Sequence, residues 1–196
     1  MVIGLTGGVG CGKSTVMEIL QREYGAKLLI ADDIGHVVME KGHPAYDAVR
    51  EQFGEGILCE DGSIDRGALA QLVYADERKL NQLNAIIHPC VVEEISEKLQ
   101  EWRTEPLIVL ETAILFETGC DAFCDEIWGI HTNREIRIKR LMESRGYTRE
   151  KAESIMKQQM GEEEYQKRCD RVLPNNGDRM DLEQRLSKWM KNRKKN

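Results

Sequence analysis

The chain has 196 residues, 41% of them hydrophobic and 32% charged, with a formal net charge of −6. That length suits one substantial core with a small insertion rather than two full domains, and the acidic balance argues against a nucleic-acid binder relying on overall charge. No apolar run approaches a membrane span and the N-terminus reads as a first strand rather than a signal peptide, so a cytoplasmic protein without membrane contact is expected.

Residues 2–6 form a short β-rich run, and residues 14–24 carry helical apolar spacing at Val16, Ile19 and Leu20. Between them, residues 7–14 read Gly-Gly-Val-Gly-Cys-Gly-Lys-Ser, which fits Gly-x-x-x-x-Gly-Lys-Ser/Thr without a mismatch. Strand, glycine loop and helix in that order cradle a nucleoside triphosphate. Glycines let the backbone approach the phosphates, and the helix N-terminus adds partial positive charge. Gly8, Val9, Gly10, Cys11, Gly12, Lys13, Ser14 and Thr15 are therefore the expected ATP-binding residues. Lys13 reaches the β- and γ-phosphates, and the Ser14 hydroxyl is the expected ligand of Mg²⁺.

Residues 26–31 read as a second buried strand ending at Asp32-Asp33, and residues 34–103 are mostly helical, broken by turns around Gly42, Gly54 and Gly62. Strand character returns at 106–113 and 126–131. Helices follow at 134 to about 144 and, after Gly146 with Thr148 as N-cap, to about Met160. Gly161 and the three glutamates after it read as a polar break. Residues 171–174 form a last strand, and a final helix places Leu182, Leu186 and Trp189 on one face. The basic run 191–195 is expected to be a frayed, solubilising tail.

Strands alternating with helices predict an α/β fold, a mostly parallel sheet covered on both faces, with ligands at the carboxyl ends of its strands. Asp32 at that rim is placed to accept a proton from an acceptor hydroxyl. Capping the next helix is an equally good reading for it, and Asp33 is the preferred cap. Arg134, Arg137, Arg140, Arg145 and Arg149 crowd a helical hairpin, of which one or two are expected over the triphosphate and the rest in solvent. No guanine-reading Asn-Lys-x-Asp motif is present, so a small-molecule kinase is favoured over a GTPase-like switch.

The six cysteines form no Cys-x-x-Cys pair and are expected to be reduced, with no zinc site. Cys120 and Cys124 read as packing residues. Cys11, inside the phosphate loop beside a lysine, is expected to have a lowered thiol pKa, so that oxidation there would block nucleotide binding.

The segment 3–15, Ala31-Asp32 with Ile34, Phe53-Gly54, Asp61-Gly62, Asp65-Arg66, the run Leu83-Asn84 to His88-Pro89, residues 114–117, Arg140-Leu141, Gln159 and Asn175-Asn176-Gly177 together resemble the dephospho-CoA kinases. The resemblance spans almost the whole chain. It implies a P-loop kinase-type sheet with a helical acceptor-binding insertion and a helical lid. The core would be 1–33, 104–133 and 169–196, the acceptor domain 34–103 and the lid 134–168. ATP and dephospho-CoA would be the small-molecule substrates, and the product coenzyme A. Asp32 would be the general base, Lys13 and Arg140 the charge stabilisers, and Asn176 a nucleotide contact. Asp65, Arg66 and His88 would shape the acceptor pocket, although a buried structural histidine is an equal reading of His88. The chain departs from the family pattern at Ile30, where an Asp is expected, at Thr112-Ala113 for Val-Pro, and at Arg137, where Gln is usual. A kinase for a nucleoside or sugar acid, or a non-catalytic ATP-dependent binding protein, is the alternative; the oligomeric state is left open.

Overall fold

A computed structural model describes residues 1–157, 159 and 161–193, apart from the side chains of residues 162, 192 and 193. The chain forms two compact units, one of Met1–Leu29 with the chain from Glu105 onward, the other of Ile30–Thr104.

The first unit is built on a sheet whose strands are β1 (Val2–Thr6), β2 (Lys27–Ile30, its last residue grouped with the second unit), β3 (Ile108–Glu111), β4 (Glu126–His131) and β5 (Arg171–Pro174). Their order is β2-β3-β1-β4-β5, and β1 runs parallel to both β3 and β4, as β4 does to β5. All four residues of β3 and four of the five in β1 are buried. Unbroken burial, rather than alternation, is the mark of parallel strands covered on both faces.

Helix α1 (Lys13–Tyr24) follows the loop after β1 and buries Val16, Met17, Ile19 and Leu20; left-handed Gly25 ends it. After the second unit come α6 (Arg134–Arg145), α7 (Arg149–Lys157), α8 (Glu162–Arg168) and α9 (Arg179–Arg193). Left-handed Gly146 stops α6, and the Thr148 hydroxyl accepts a bond from the Lys151 amide, the expected cap of α7. Leu182 and Leu186 of α9 are buried, and Trp189 meets fully buried Trp128 edge-on, centroids 5.0 Å apart. Edge-to-face aromatic pairs contribute about 0.5–1.5 kcal/mol beyond the area they bury.

The second unit is a helical cluster: α2 (Ala31–Val37), α3 (Pro44–Phe53), α4 (Arg66–Tyr74) and the 25-residue α5 (Glu77–Glu101). Helices α2, α3 and α4 all pack on α5. Leu83, Val91 and Ile95 of α5 are buried together with Ile34, Val49, Leu69 and Val73.

Four local expectations need correction. Ala31 opens α2 instead of closing β2. Asp33 is not the cap: Ile30 takes that position with no side-chain bond, and both Asp32 and Asp33 lie in the first turn. Carboxylates there are favoured by the exposed N–H groups of the turn without acting as caps. The glutamates after Gly161 are no break but the start of α8, again an acidic first turn. The run 191–195 is helical in α9 through Arg193, and its last two residues lie outside the described residues, as does the expected end of α7 at Met160.

Candidate active site

Five polar residues are buried among the described residues: Thr6, Glu111, Thr112, Thr132 and Asn175. Every one stands at or just past the carboxyl end of β1, β3, β4 or β5. Buried polar groups must find partners: Glu111, Thr132 and Asn175 find them at the glycine loop and the lysine after it, whereas the Thr112 hydroxyl accepts from the Ile114 amide at 3.2 Å.

The loop has its own constraints. Gly7 has φ +143°, and a β-carbon there would lie 2.7 Å from the Ile130 carbonyl oxygen. Gly12, with φ +96°, precedes α1; a β-carbon there would lie 2.2 Å from Asn175 Nδ2. No other residue type meets both the dihedral and the space. Asn175 Nδ2 donates to the Cys11 carbonyl at 2.8 Å, and the buried Thr132 hydroxyl lies 2.9 Å from that carbonyl and 3.0 Å from the one of Asn175. The ends of β4 and β5 thus fix the middle of the loop. Val9, at its crest, packs against the cluster of Ile138, Leu141 and Ala152 contributed by α6 and α7.

Lys13, the first residue of α1, folds back so that its ammonium donates to the Gly7 carbonyl at 2.8 Å and sits 3.5 Å from Glu111 Oε1. Glu111 ends β3, paired in register with Leu5. Of the five arginines of α6 and α7 singled out in the sequence, two approach the loop. Arg137 donates through Nε to the Val9 carbonyl at 2.9 Å. Arg140 brings Nη1 to 3.6 Å from where a Gly12 β-carbon would be. Arg134 and Arg149 form exposed ion pairs with Glu135 and Glu153, and Arg145 is exposed. Gln159 accepts from the Val9 amide at 2.9 Å and from Arg137 Nη2 at 3.1 Å. Beside the loop lies a cavity of about 350 Å³, lined by Gly7, Gly8, Phe116, Arg137, Gln159 and Tyr165 among others.

The structure therefore brings Gly8 to Thr15, Lys13 and Arg140 together. It gives Asn176 a different partner: its Oδ1 accepts from the Asn133 amide at 2.8 Å, at the start of α6, and it is Asn175 that reaches the loop. Asp32, Asp65, Arg66 and His88 belong to the helical unit. Asp32 is exposed. Asp65 caps α4, accepting from Gly67 and Ala68 amides at 2.8 and 3.0 Å, and Arg66 lies 3.9 Å from Glu40. His88 is half-buried in α5, and burial pushes its imidazole below the usual range. Sequence reasoning missed Glu111, Thr132 and Asn175. The signal the three share is a polar residue closing an apolar strand, as in Ile108-Val109-Leu110-Glu111, and Asn175 also stands in the family-like run Asn175-Asn176-Gly177.

Cys11 is also corrected. It is 1% exposed, and burial raises its thiol pKa more than nearby Lys13 and Arg137 lower it. Burial likewise pushes Cys124 up to about 12 and Cys169 to about 11. As expected of packing residues, Cys120 is buried and the Cys124 sulfur fills the space against Gly4. A maleimide should therefore label exposed Cys59 in the native protein and leave Cys11 unmodified until denaturant is added. Peptide mass spectrometry reads the order, and early labelling of Cys11 would contradict the burial argument. Because these thiol pKa values are raised on folding, the unfolded chain loses protons first above about pH 9, so stability should fall as pH rises beyond it.

A Gly-rich loop between β1 and α1, a parallel sheet ordered 2-3-1-4-5 and a pair of arginine-bearing helices over the loop define a P-loop kinase of small molecules. The comparisons make this specific. Residues 1–181 match the family model described as dephospho-CoA kinase. A dephospho-CoA kinase of Carboxydothermus hydrogenoformans is 43% identical over 178 residues, 90% of this chain and 86% of that protein. Among solved structures, a Thermus thermophilus protein superposes with a TM-score of 0.82 at 34% identity, covering 98% of this chain and 97% of its own. The dephospho-CoA kinase of Campylobacter jejuni gives 0.73 at 25% identity, covering 97% and 95%. The chain belongs to the dephospho-CoA kinase family, ATP-dependent phosphotransferases with an alcohol acceptor that complete coenzyme A synthesis. No described helix is long and apolar enough to cross a membrane.

Proposed function

We propose that this chain transfers the γ-phosphoryl group of ATP to the ribose 3′-hydroxyl of dephospho-CoA, with Asp32 as base and Lys13 and Arg140 as charge stabilisers. The observation that carries the nucleotide half is the placement of the Lys13 ammonium between the Gly7 carbonyl and Glu111. A triphosphate entering the loop replaces those oxygens with its own, and the cation is already at the right depth. Phosphoryl transfer is mostly positioning and charge stabilisation. The loop amides of residues 8–15, apart from that of Val9, which donates to Gln159, hold the β-phosphate, Lys13 spans β and γ, and Arg140 meets the charge spread over the γ-oxygens. The 3′-oxygen bonds to γ-phosphorus as the bond to the β–γ bridging oxygen breaks. Asp32 takes the hydroxyl proton, and ADP leaves with the bond's electron pair.

Mg²⁺ fits the donor set. The Ser14 hydroxyl and the Glu111 carboxylate are hard oxygen ligands, and Mg²⁺ characteristically takes few protein groups alongside phosphates and water. When bound, it neutralises charge on the β- and γ-oxygens. The acceptor side is assigned to the helical unit of residues 34–103, with Asp65 and Arg66 at the start of α4 and His88 in α5. Asp65 in this reading serves the pocket by fixing the helix start it caps. All six cysteines are free, which suits the reducing cytoplasm.

An ADP-release assay across dephospho-CoA, nucleosides and sugar acids tests the assignment. ADP should appear only with dephospho-CoA and should stop when EDTA removes Mg²⁺. Equal release with a nucleoside, or without any acceptor, would overturn it.

A further inference from the structure

We infer that Arg137 is a second phosphoryl-contacting arginine of this chain, positioned by Gln159 and the Val9 carbonyl. The inference rests on the nucleotide half of the function above and not on the identity of the acceptor.

Three observations carry it. First, the guanidinium lies directly on the glycine loop: a β-carbon at Gly8 would lie 2.2 Å from Arg137 Nη2 and 2.9 Å from Nη1. It also lines the 350 Å³ cavity together with Gly7 and Gly8. Second, its orientation is set at two points, Nε on the Val9 carbonyl and Nη2 on Gln159 Oε1. An arginine has five N–H donors in a planar fork. Two are used to hold the plane, and of the remaining three a phosphoryl group takes two in a bidentate contact. Third, its charge has no carboxylate partner among the described residues. Arg134, one turn earlier on the same helix, is paired with Glu153 at 2.8 Å, and Arg149 on α7 with Glu135 at 2.6 Å. The hairpin supplies carboxylates to Arg134 and Arg149 and, among the described residues, none within ion-pair distance of half-buried Arg137. A half-buried cation without a counter-charge is costly unless an anion joins it, and the anion this loop accepts is a phosphate.

Gln159 is the positioning residue. One amide oxygen accepts from both Val9 N and Arg137 Nη2, so it ties the end of the lid to the crest of the loop and aims the fork. A purely structural latch needs only a donor toward Val9, which glutamine at 137 can supply; a charge-stabilising contact needs the cation.

Affinity for ADP with fluoroaluminate, a mimic of the phosphoryl in flight, separates the two. Calorimetry with parent protein, Arg137→Gln and Arg137→Lys requires no acceptor. Arg137→Gln should bind ADP within about threefold of the parent but lose about 100-fold in affinity for the mimic. Arg137→Lys should recover part of that loss by charge while missing the fork. Gln159→Ala should lower affinity for the mimic by a smaller factor, about tenfold, with ADP again unaffected. Equal losses for ADP and the mimic would make Arg137 a structural latch and overturn the inference, as would parental affinity for the mimic in Arg137→Gln. Failure of the parent to phosphorylate dephospho-CoA would sink the acceptor assignment and leave this result standing.

Discussion

Lys13→Ala is expected to lower kcat/KM by about a thousandfold, or about 4 kcal/mol of transition-state stabilisation, and to raise the KM for ATP. In the proposed mechanism the ammonium is the charge that follows the γ-phosphoryl as it moves, and no other lysine of the described residues reaches the Gly7 carbonyl. The substitution also has a structural consequence. Side-chain exposure of Lys13 and Glu111 is 14% and 10%, so the alanine variant keeps a largely buried carboxylate after its cation has gone. Losing one member of such a pair should reduce stability of the nucleotide-free protein by about 1–3 kcal/mol. Adding Glu111→Gln to Lys13→Ala should restore much of that stability and none of the turnover. Chemical denaturation and steady-state kinetics on the single and double variants separate the two effects; a single variant retaining a tenth of parental kcat/KM would remove Lys13 from the mechanism.

Asp32→Asn should depress kcat by about 10²- to 10⁴-fold, the range for a positioned general base, with the KM for ATP close to parental. The amide keeps the size of the carboxylate and loses its charge and its proton affinity, and an exposed first-turn charge contributes only about 0.3–1 kcal/mol to the helix. Since Asp32 makes no side-chain cap to α2, the variant should fold as the parent does, and its thermal midpoint should show it. A purely structural role for Asp32 in the first turn predicts the opposite pattern, lower stability with normal turnover, so one pair of measurements decides between them. Near-parental kcat would require another base.

Much of this molecule was legible in local pattern. The bounds of β4 and β5 agree with the hydrophobic runs that announced them, and left-handed Gly146 and capping Thr148 stand where turn chemistry put them. The phosphate loop was readable because its requirement is local: positive φ at Gly7, Gly10 and Gly12, then a lysine at a helix start. Local reasoning failed at Asp33 and at the glutamates after Gly161. An acidic residue near a helix start has two favourable positions, cap and first turn, and sequence alone does not choose between them. It failed more instructively at Cys11. The nearby positive charges were correctly read, but burial, which outweighs them, comes from elements far along the chain.

By itself, the sequence determined the triphosphate loop, the alternation that makes a parallel sheet, and, through motifs spread over nearly the whole length, the family. Only the tertiary structure decided which polar residues serve the loop. Asn175 reaches the Cys11 carbonyl across 164 positions of sequence, Thr132 across 121, and Glu111 meets Lys13 only because β3 lies beside β1. It also sorted five similar arginines into two over the loop and others paired or exposed in solvent. The reason is physical: backbone conformation depends on neighbours in sequence, whereas the meaning of a buried charge or hydrogen-bonding group depends on the partner that folding brings to it.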